Sequence, residues 1–395
     1  MRTIFAIAVV FALLLTGCPG GDDVSKQDPI DPTVTWPAGL TAVSGQTLGD
    51  IALNAYDNDG GTPGAFSWTT PAASVGHGYG ASTYSMTFTP TDRSAYHTVS
   101  DDVDVAVTIA MVLVEKGTFE MGKNGDGTAN NDPYGGIRTV TLTQDFYIGK
   151  YEVTQAQYKA VMETTIEEQQ ALWNGTNITN YGRGDNYPMY FVSWFDAIVF
   201  CNKLSMMEGF TPAFSIDGET DPAEWGEVPA TATHDNYAKY QDVEIVADST
   251  GYRLPSEAQW EYAAKGGHKA SDPYYIYSGS NRIGRVAWYY NNNGTAGTEF
   301  YGAKRVGTKQ ANELGIHDMS GNIVEWCLDN PYNQYDPPGT TDDPLTWVTG
   351  SYNSNKNNRG GHWADSFQTR LVYGSGMYPY SRGFYYGIRL VRPAE

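Results

Sequence analysis

Cysteine is almost missing from this chain: there are three in 395 residues, Cys18, Cys201 and Cys327, and none follows Cys327. So few thiols exclude a disulfide framework, and stability has to come from a buried core. Basic residues are also scarce, with 25 Lys and Arg against 45 Asp and Glu, a net charge of -20. That balance excludes a nucleic-acid partner, whose phosphates need a basic face, and it opposes adhesion to anionic lipid headgroups. Internal repeats and low-complexity tracts are missing. So are a Gly-x-Ser-x-Gly elbow and a phosphate-binding Gly-rich loop before a helix. What is present is a globular composition, 41% hydrophobic and 18% charged, at a length that suggests two or more domains.

Arg2, the apolar stretch Ile4 to Leu15 and the end Leu15-Thr16-Gly17-Cys18 have the charge, length and small residues of a secretory signal over residues 1–17. The stretch is too short to span a membrane. A cysteine directly after the small residues resembles a bacterial lipobox. The resemblance implies that Cys18 is lipidated and becomes the mature N-terminus. It also implies that residues 18–31, rich in Gly, Pro and Asp, form a tether. The expected place is the bacterial cell envelope, at the outer membrane or cell surface, with the lipid as the membrane contact. The plainer alternative is an ordinary signal peptide with a chance cysteine.

Residues 32–110 alternate apolar and polar positions at period two in Thr33-Val-Thr-Trp, Ile51-Ala-Leu-Asn-Ala-Tyr, Ala65-Phe-Ser-Trp-Thr, Tyr84-Ser-Met-Thr-Phe-Thr and Val103-Asp-Val-Ala-Val-Thr-Ile. Short strands at this spacing predict a small all-β immunoglobulin-like sandwich, read as a spacer. Asp57-Asn-Asp59-Gly-Gly reads as a turn, because no glutamate follows at calcium-loop spacing.

Residues 111–395 read as a loop-rich α+β domain. Three helix starts are marked by a hydroxyl at the N-cap and an acceptor side chain three positions on: Thr154 with Gln157, Ser193 with Asp196, and Ser256 with Gln259. After Ser193, the residues Trp194, Ala197, Ile198, Cys201 and Leu204 share one helical face, which predicts that Cys201 is a core residue.

Ordered motifs run through this second part: Phe119-Glu-Met-Gly, Phe146-Tyr-Ile-Gly-Lys-Tyr-Glu-Val-Thr, Pro188-Met-Tyr-Phe-Val-Ser-Trp, Gly251-Tyr-Arg-Leu-Pro-Ser-Glu-Ala-Gln-Trp-Glu-Tyr-Ala-Ala, Asp318-Met-Ser-Gly-Asn-Ile-Val-Glu-Trp, Arg359-Gly-Gly-His-Trp and Gly387-Ile-Arg-Leu-Val-Arg. Together they resemble the formylglycine-generating enzyme (sulfatase-modifying factor) family. The resemblance implies its C-type-lectin-like variant fold. Active members carry two cysteines between the Arg-Gly-Gly-x-Trp run and the Gly-Phe-Arg end, which hold copper and oxidise a substrate cysteine. Here that interval contains no cysteine. Copper held by two thiolates needs both sulfurs at one ion, and Cys201 and Cys327 lie on separate motifs outside the interval, so no copper is expected. Iron-dependent members of the wider superfamily use a histidine site. His77, His97, His234, His268, His317 and His362 show no close His and carboxylate spacing, so no iron is expected either.

Calcium is the cofactor that the resemblance does imply. The family's Gly-Asn-x-x-Glu loop matches Asp318, Gly321, Ile323 and Glu325, all able to offer oxygen to a hard cation from side chain or backbone. The alternative is a tight turn at Gly321-Asn322 capped by Glu325.

From His362 to Ile388 the chain holds five Tyr, four Gly and three Ser, a mixture that resembles an antibody paratope, where rigid amphipathic rings are carried on adaptable backbone. The same segment resembles the variable region of retroelement-diversified lipoproteins, with Ile388 where those carry Phe. Candidate ligand-binding residues are His362, Asp365, Phe367, Tyr373, Tyr378, Tyr380, Phe384, Tyr385 and Tyr386, while Trp363 is expected to be buried. The expected function is thus a surface lipoprotein whose non-catalytic domain binds a protein or glycan. The alternatives are a formylglycine-generating oxidase and a structural envelope component.

Overall fold

The computed structural model describes residues 27–123, 136–174, 180–271, 274–298, 300–330, 341–343, 355–365 and 374–394. Cys18 and most of the tether lie outside them, as do Phe367 and Tyr373.

The N-terminal module is one four-stranded sheet of order β1-β4-β3-β2, formed by β1 (Leu40–Val43), β2 (Gly64–Trp68), β3 (Gly80–Pro90) and β4 (Val99–Thr108). β1 pairs parallel with β4, and the other pairs are antiparallel. Alternation works as expected on β4, where Val103, Val105 and Val107 turn into the core and Asp102 and Asp104 face water. A two-sheet sandwich does not form among the described residues, because two of the five expected strands are irregular. Near Thr33 the backbone is taken by side chains: Thr33 N donates to Thr62 Oγ1 at 2.9 Å, and Thr35 N to Asn58 Oδ1 at 2.7 Å. Such bonds compete with a strand ladder. The Asp57–Gly61 segment is indeed a turn, and Asn58 is its hub.

This module is docked on the larger one. Thr154 Oγ1 donates to the His77 carbonyl at 2.6 Å, His77 N donates to Asn186 Oδ1 at 2.9 Å, and the His77 ring meets Tyr151 edge-on at 4.5 Å. His77 therefore works at an internal contact and not as a surface turn. Burial pushes its imidazole down to about 4, so it is neutral at physiological pH.

The larger module is mixed α and β with several small sheets. Phe146–Gly149 lies between Met111–Val114 and Val391–Pro393, so the C-terminus is tied to the domain's first strand. A second sheet runs in the order Gly374–Met377, Lys356–Arg359, Val324–Trp326, Tyr386–Gly387, and it gathers the C-terminal motifs.

All three expected helix starts are present. Helix α1 (Gln155–Met162) begins at Thr154, whose Oγ1 accepts from Gln157 N at 3.2 Å while Gln157 Oε1 accepts from Thr154 N at 3.0 Å. Ser193 and Asp196 cap α3 (Trp194–Met207) the same way, and Ser256 and Gln259 cap the helix Glu257–Ala264. Cys201 is fully buried on α3 as predicted. Helix α2 (Ile166–Asn174) was not anticipated, although it carries the same signal. Glu168 N donates to Thr165 Oγ1, and Glu168 Oε2 accepts from Thr165 N. Among the described residues, no helix is long and apolar enough to cross a membrane.

Candidate functional site

The motif residues first have to be sorted into those that hold the fold and those that face outward. Arg359, Glu257, Glu261 and Lys265 are one buried chain of ion pairs. Arg359 Nε reaches Glu257 Oε1 at 2.8 Å and Arg359 Nη2 reaches Glu261 Oε2 at 2.8 Å, while Lys265 Nζ meets Glu261 Oε1 at 2.7 Å. Arg382 pairs with Asp196 at 2.8 Å beneath the C-terminal loop. These pairs tie the helices to the second sheet.

Arg389 closes a third network. Its guanidinium donates to Glu325 Oε1 at 2.6 Å and Glu325 Oε2 at 2.8 Å, and to the carbonyls of Gly149 and His317, both at 2.8 Å. Trp260 Nε1 adds a bond to Glu325 Oε2 at 2.6 Å. Two more carboxylates share the same interior. Glu152 accepts from Asn322 Nδ2 at 2.6 Å and Ile323 N at 3.1 Å, and Asp318 Oδ2 accepts from Gly307 N at 2.7 Å. Burial, with Asp318 and Glu325 nearby, holds the Glu152 carboxyl well above its ordinary range, and burial pushes Asp318 up to about 6.

This is the neighbourhood of the expected calcium ligands, and the four take different places. Asp318 is buried with Oδ1 lacking a hydrogen-bond partner, an orphaned acceptor of the kind a cation would satisfy. Glu325 is engaged by Arg389 and Trp260, yet Oε1 accepts one bond and has a second lone pair. Gly321 sits at φ +77, where a Cβ would lie 2.2 Å from the Trp288 carbonyl oxygen, so the close turn requires glycine. Ile323 buries its side chain in the core, which leaves only its backbone oxygen to offer. Among the described residues no three His, Cys, Asp or Glu side chains are arranged to hold a metal, so any shell here needs backbone oxygens. The charges also matter. Three carboxylates, Glu152, Asp318 and Glu325, face one guanidinium, so full ionisation would leave a buried surplus that protons or a cation must offset.

The thiols do not fit a copper centre. Cys201 and Cys327 are both fully buried and unpaired, one in the core around α3 and the other in the core around Trp260. Burial raises both thiols above their ordinary range, away from the thiolate form that would bind a soft metal.

The aromatic residues form the outward face. His362 lies flat on Tyr385 at 4.1 Å, and Tyr385 meets Phe384 edge-on at 4.7 Å. The His362 ring is held at Nδ1, which accepts from Ala364 N at 3.1 Å and so leaves the proton on Nε2, 3.3 Å from Asp365 Oδ2. Burial pushes His362 down to about 4 and Asp365 up to about 6, so at neutral pH a neutral imidazole faces an ionised carboxylate. Trp363 is buried as expected and supports the face from below.

From Phe384 the rings continue to Tyr181 at 4.9 Å and to Trp173 on α2 at 6.1 Å. Through Trp363 they reach Tyr301 at 4.8 Å. At one end Trp173 is 42% exposed, with Leu172 exposed beside it, and two rings on the segment before Tyr301 are open to water, Tyr290 at 60% and Phe300 at 72%. Tyr290 N donates to the Asp365 carbonyl at 3.0 Å, which joins that segment to the same face. Sequence reasoning missed Leu172, Trp173, Tyr181, Tyr290, Phe300 and Tyr301. Only the α2 pair had a usable signal, the Thr165 and Glu168 box.

The expected ligand-binding set therefore divides. His362, Asp365, Phe384 and Tyr385 lie together. Tyr378 and Tyr380 stack on each other at 5.4 Å and meet Tyr237, forming a second ring group in which Tyr378 is 42% exposed. Tyr386 is a correction: it is 6% exposed and lies against Trp326 at 4.9 Å, because its strand pairs beside Val324 and points its ring into the core. Phe367 and Tyr373 lie outside the described residues.

Comparisons with known proteins agree with the motif reading. The model of the sulfatase-modifying factor enzyme 1-like domain matches residues 98–394. A protein of Paenibacillus barcinonensis named chaperone protein LppX is 37% identical over 308 residues, 75% of this chain and 90% of that protein. A formylglycine-generating enzyme of Thermomonospora curvata is 27% identical over 256 residues, 61% of this chain and 79% of the enzyme. Among solved structures, Treponema denticola variable protein 1 has a TM-score of 0.57 at 25% identity, over 78% of this chain and 99% of that one.

Proposed function

This chain belongs to the sulfatase-modifying factor enzyme 1-like family, and we propose that within it the chain is a lipid-anchored envelope protein that binds a protein or glycan and does not oxidise cysteine. The observation that carries this reading is the run of touching rings from Trp173 through Phe384, Tyr181 and Trp363 to Tyr301, with Trp173 exposed at its end and Phe300 exposed next to Tyr301 although burying them would be favourable. Rigid rings with polar tips lose little entropy on binding. The Paenibacillus relative's name, a chaperone, suits a domain that holds another chain. Cys18 would supply the anchor.

The test uses wild type and a Trp173→Ala/Tyr290→Ala/Phe300→Ala variant, screened against a glycan array and a library of envelope and secreted proteins. The expected result is binders that the variant loses while its melting temperature stays near wild type, since exposed truncations cost within about 0.5 kcal/mol each. Binders that survive the triple substitution would remove this face from the function.

The chemical half of the proposal has its own check. Incubated with a sulfatase-type cysteine peptide, with or without copper, the protein is expected to leave the thiol intact by mass spectrometry. Copper-dependent loss of the thiol beyond one equivalent would overturn the non-catalytic reading.

We also propose a structural calcium ion held by Asp318 and Glu325 with backbone oxygens of Gly321 and Ile323. It would neutralise the surplus carboxylate charge and brace the turn. Without calcium, Asp318 binds a proton in the fold up to about pH 6 but in the unfolded chain only to about its ordinary 3.8. The stability from that proton is therefore complete below the lower value and lost as pH rises through the upper one. Calcium is expected to raise the melting temperature most at pH 7 and above, by mass action on the folded state. Asp318→Asn is expected to remove both the calcium response and this pH dependence. Identical melting curves in calcium and in chelator, after extraction of bound metal, would rule the ion out.

A further inference from the structure

The segment that carries Tyr290 and Phe300 has almost no regular structure, yet it is held in one place. Its anchor is Lys304. The ammonium of Lys304 donates to Asn293 Oδ1, to the Phe300 carbonyl at 2.7 Å and to the Gly302 carbonyl at 2.6 Å. An ammonium has three donors, and all three are used. Three oxygens turned toward one point repel each other unless a cation sits among them, which is the physical logic of any oxygen-lined cation site.

We infer that Asn293 Oδ1 and the carbonyl oxygens of Phe300 and Gly302 form a cation site that the chain fills with its own Lys304 ammonium, and that this internal cation sets the position of the aromatic loop. The cradle is tied into the neighbouring core from several sides. Asn293 Nδ2 donates to the Trp363 carbonyl at 3.2 Å, and Lys304 N donates to Asn322 Oδ1 at 2.8 Å. Ala303 N donates to the Tyr181 carbonyl at 2.7 Å. Gly302 lies at φ +138, where a Cβ would come within 2.3 Å of the Tyr181 backbone, so the loop is pressed against the strip that carries Tyr181. Trp288 lies alongside, with Lys304 at 5.6 Å and Lys309 at 4.0 Å from its ring. Burial pushes the Lys304 amine down to about 8, so the group is charged at neutral pH.

A lysine that only decorated the surface could not be replaced by a free ion, whereas a lysine that fills a cation site could. Lys304→Ala is therefore melted in ammonium, propylammonium, potassium, calcium and tetramethylammonium chlorides at matched ionic strength. Chymotrypsin cleavage at Phe300 is followed in the same salts as a local readout. The variant is expected to melt lower and to be cut several-fold faster at Phe300. Ammonium or propylammonium, which can donate to the oxygens, should restore at least half of both losses, and tetramethylammonium, which cannot, should restore neither. Wild-type cleavage at Phe300 should be indifferent to all five salts, and its melting temperature to the four monovalent ones. Recovery in potassium, or in calcium beyond what calcium does to wild type, would also support the site, and would assign its preference to a metal cation. If Lys304→Ala does not fold, Lys304→Gln is taken through the same salts. A variant that melts and is cut like wild type, or losses that no cation in the series repairs better than tetramethylammonium, would overturn the inference. No ligand enters either readout, so failure here is separate from failure of the binding proposal.

Discussion

Replacing Arg389 by alanine is expected to cost about 3 to 5 kcal/mol of folding stability, the range for breaking a buried ion pair by removing one partner. The guanidinium is fully buried and makes two bonds to Glu325 and one each to the Gly149 and His317 carbonyls. Without it, two carbonyls lose a donor, and Glu152, Asp318 and Glu325 remain in the interior with no guanidinium among them. Part of the loss would be recovered by protonation, so the variant should be less impaired at pH 5 than at pH 8. Urea denaturation at both pH values measures this, and a midpoint shift without a change of slope would show lost stability in place of a changed unfolded state. A cost below about 1 kcal/mol, the scale of an exposed ion pair, would mean that Arg389 does not hold this interior together. Glu325→Ala should be comparably costly, which makes Asp318 the better residue for testing calcium.

Tyr386→Ala is expected to cost about 3 to 5 kcal/mol, as for other core aromatics truncated to alanine. Tyr378→Ala, eight positions earlier, should stay within about 0.5 kcal/mol. Both were expected at the binding face from sequence. Tyr386 is 6% exposed, lies against Trp326 and sits on a strand that pairs beside Val324. Tyr378 is 42% exposed and touches only its own ring group among the described aromatic contacts. Thermal or urea denaturation of the two variants separates core from surface before a ligand is known. Equal costs would mean that the C-terminal tyrosines are not sorted in this way.

Some of the fold was legible because its causes are local. A hydroxyl and an acceptor three residues apart satisfy the first amides of one helix whatever surrounds it, so the starts at Thr154, Ser193 and Ser256 could be read directly, and α2 could have been. Period-two alternation identified β4 for the same reason. It failed at Thr33 and Ile51, where alternation is present but side chains from Asn58 and Thr62 or a preceding turn claim the backbone. Pattern reports which face of a segment is apolar and says nothing about what competes for its amides.

By itself the sequence determined the surplus of negative charge, the order of family motifs and the lack of a cysteine pair in the interval where the family's oxidases carry one. These are properties of composition and spacing, and no arrangement in space could change them. Only the tertiary structure decided which motif residues serve the interior. Glu325 meets Arg389 across 64 positions and Trp260 across 65, and Arg359 meets Glu257 across 102. It also decided that Trp173 and Tyr181 share a face with Phe384, and that Tyr386 turns into the core. The physical reason is that a side chain's role is set by its partners, and here the partners arrive from distant segments through sheet register and loop placement.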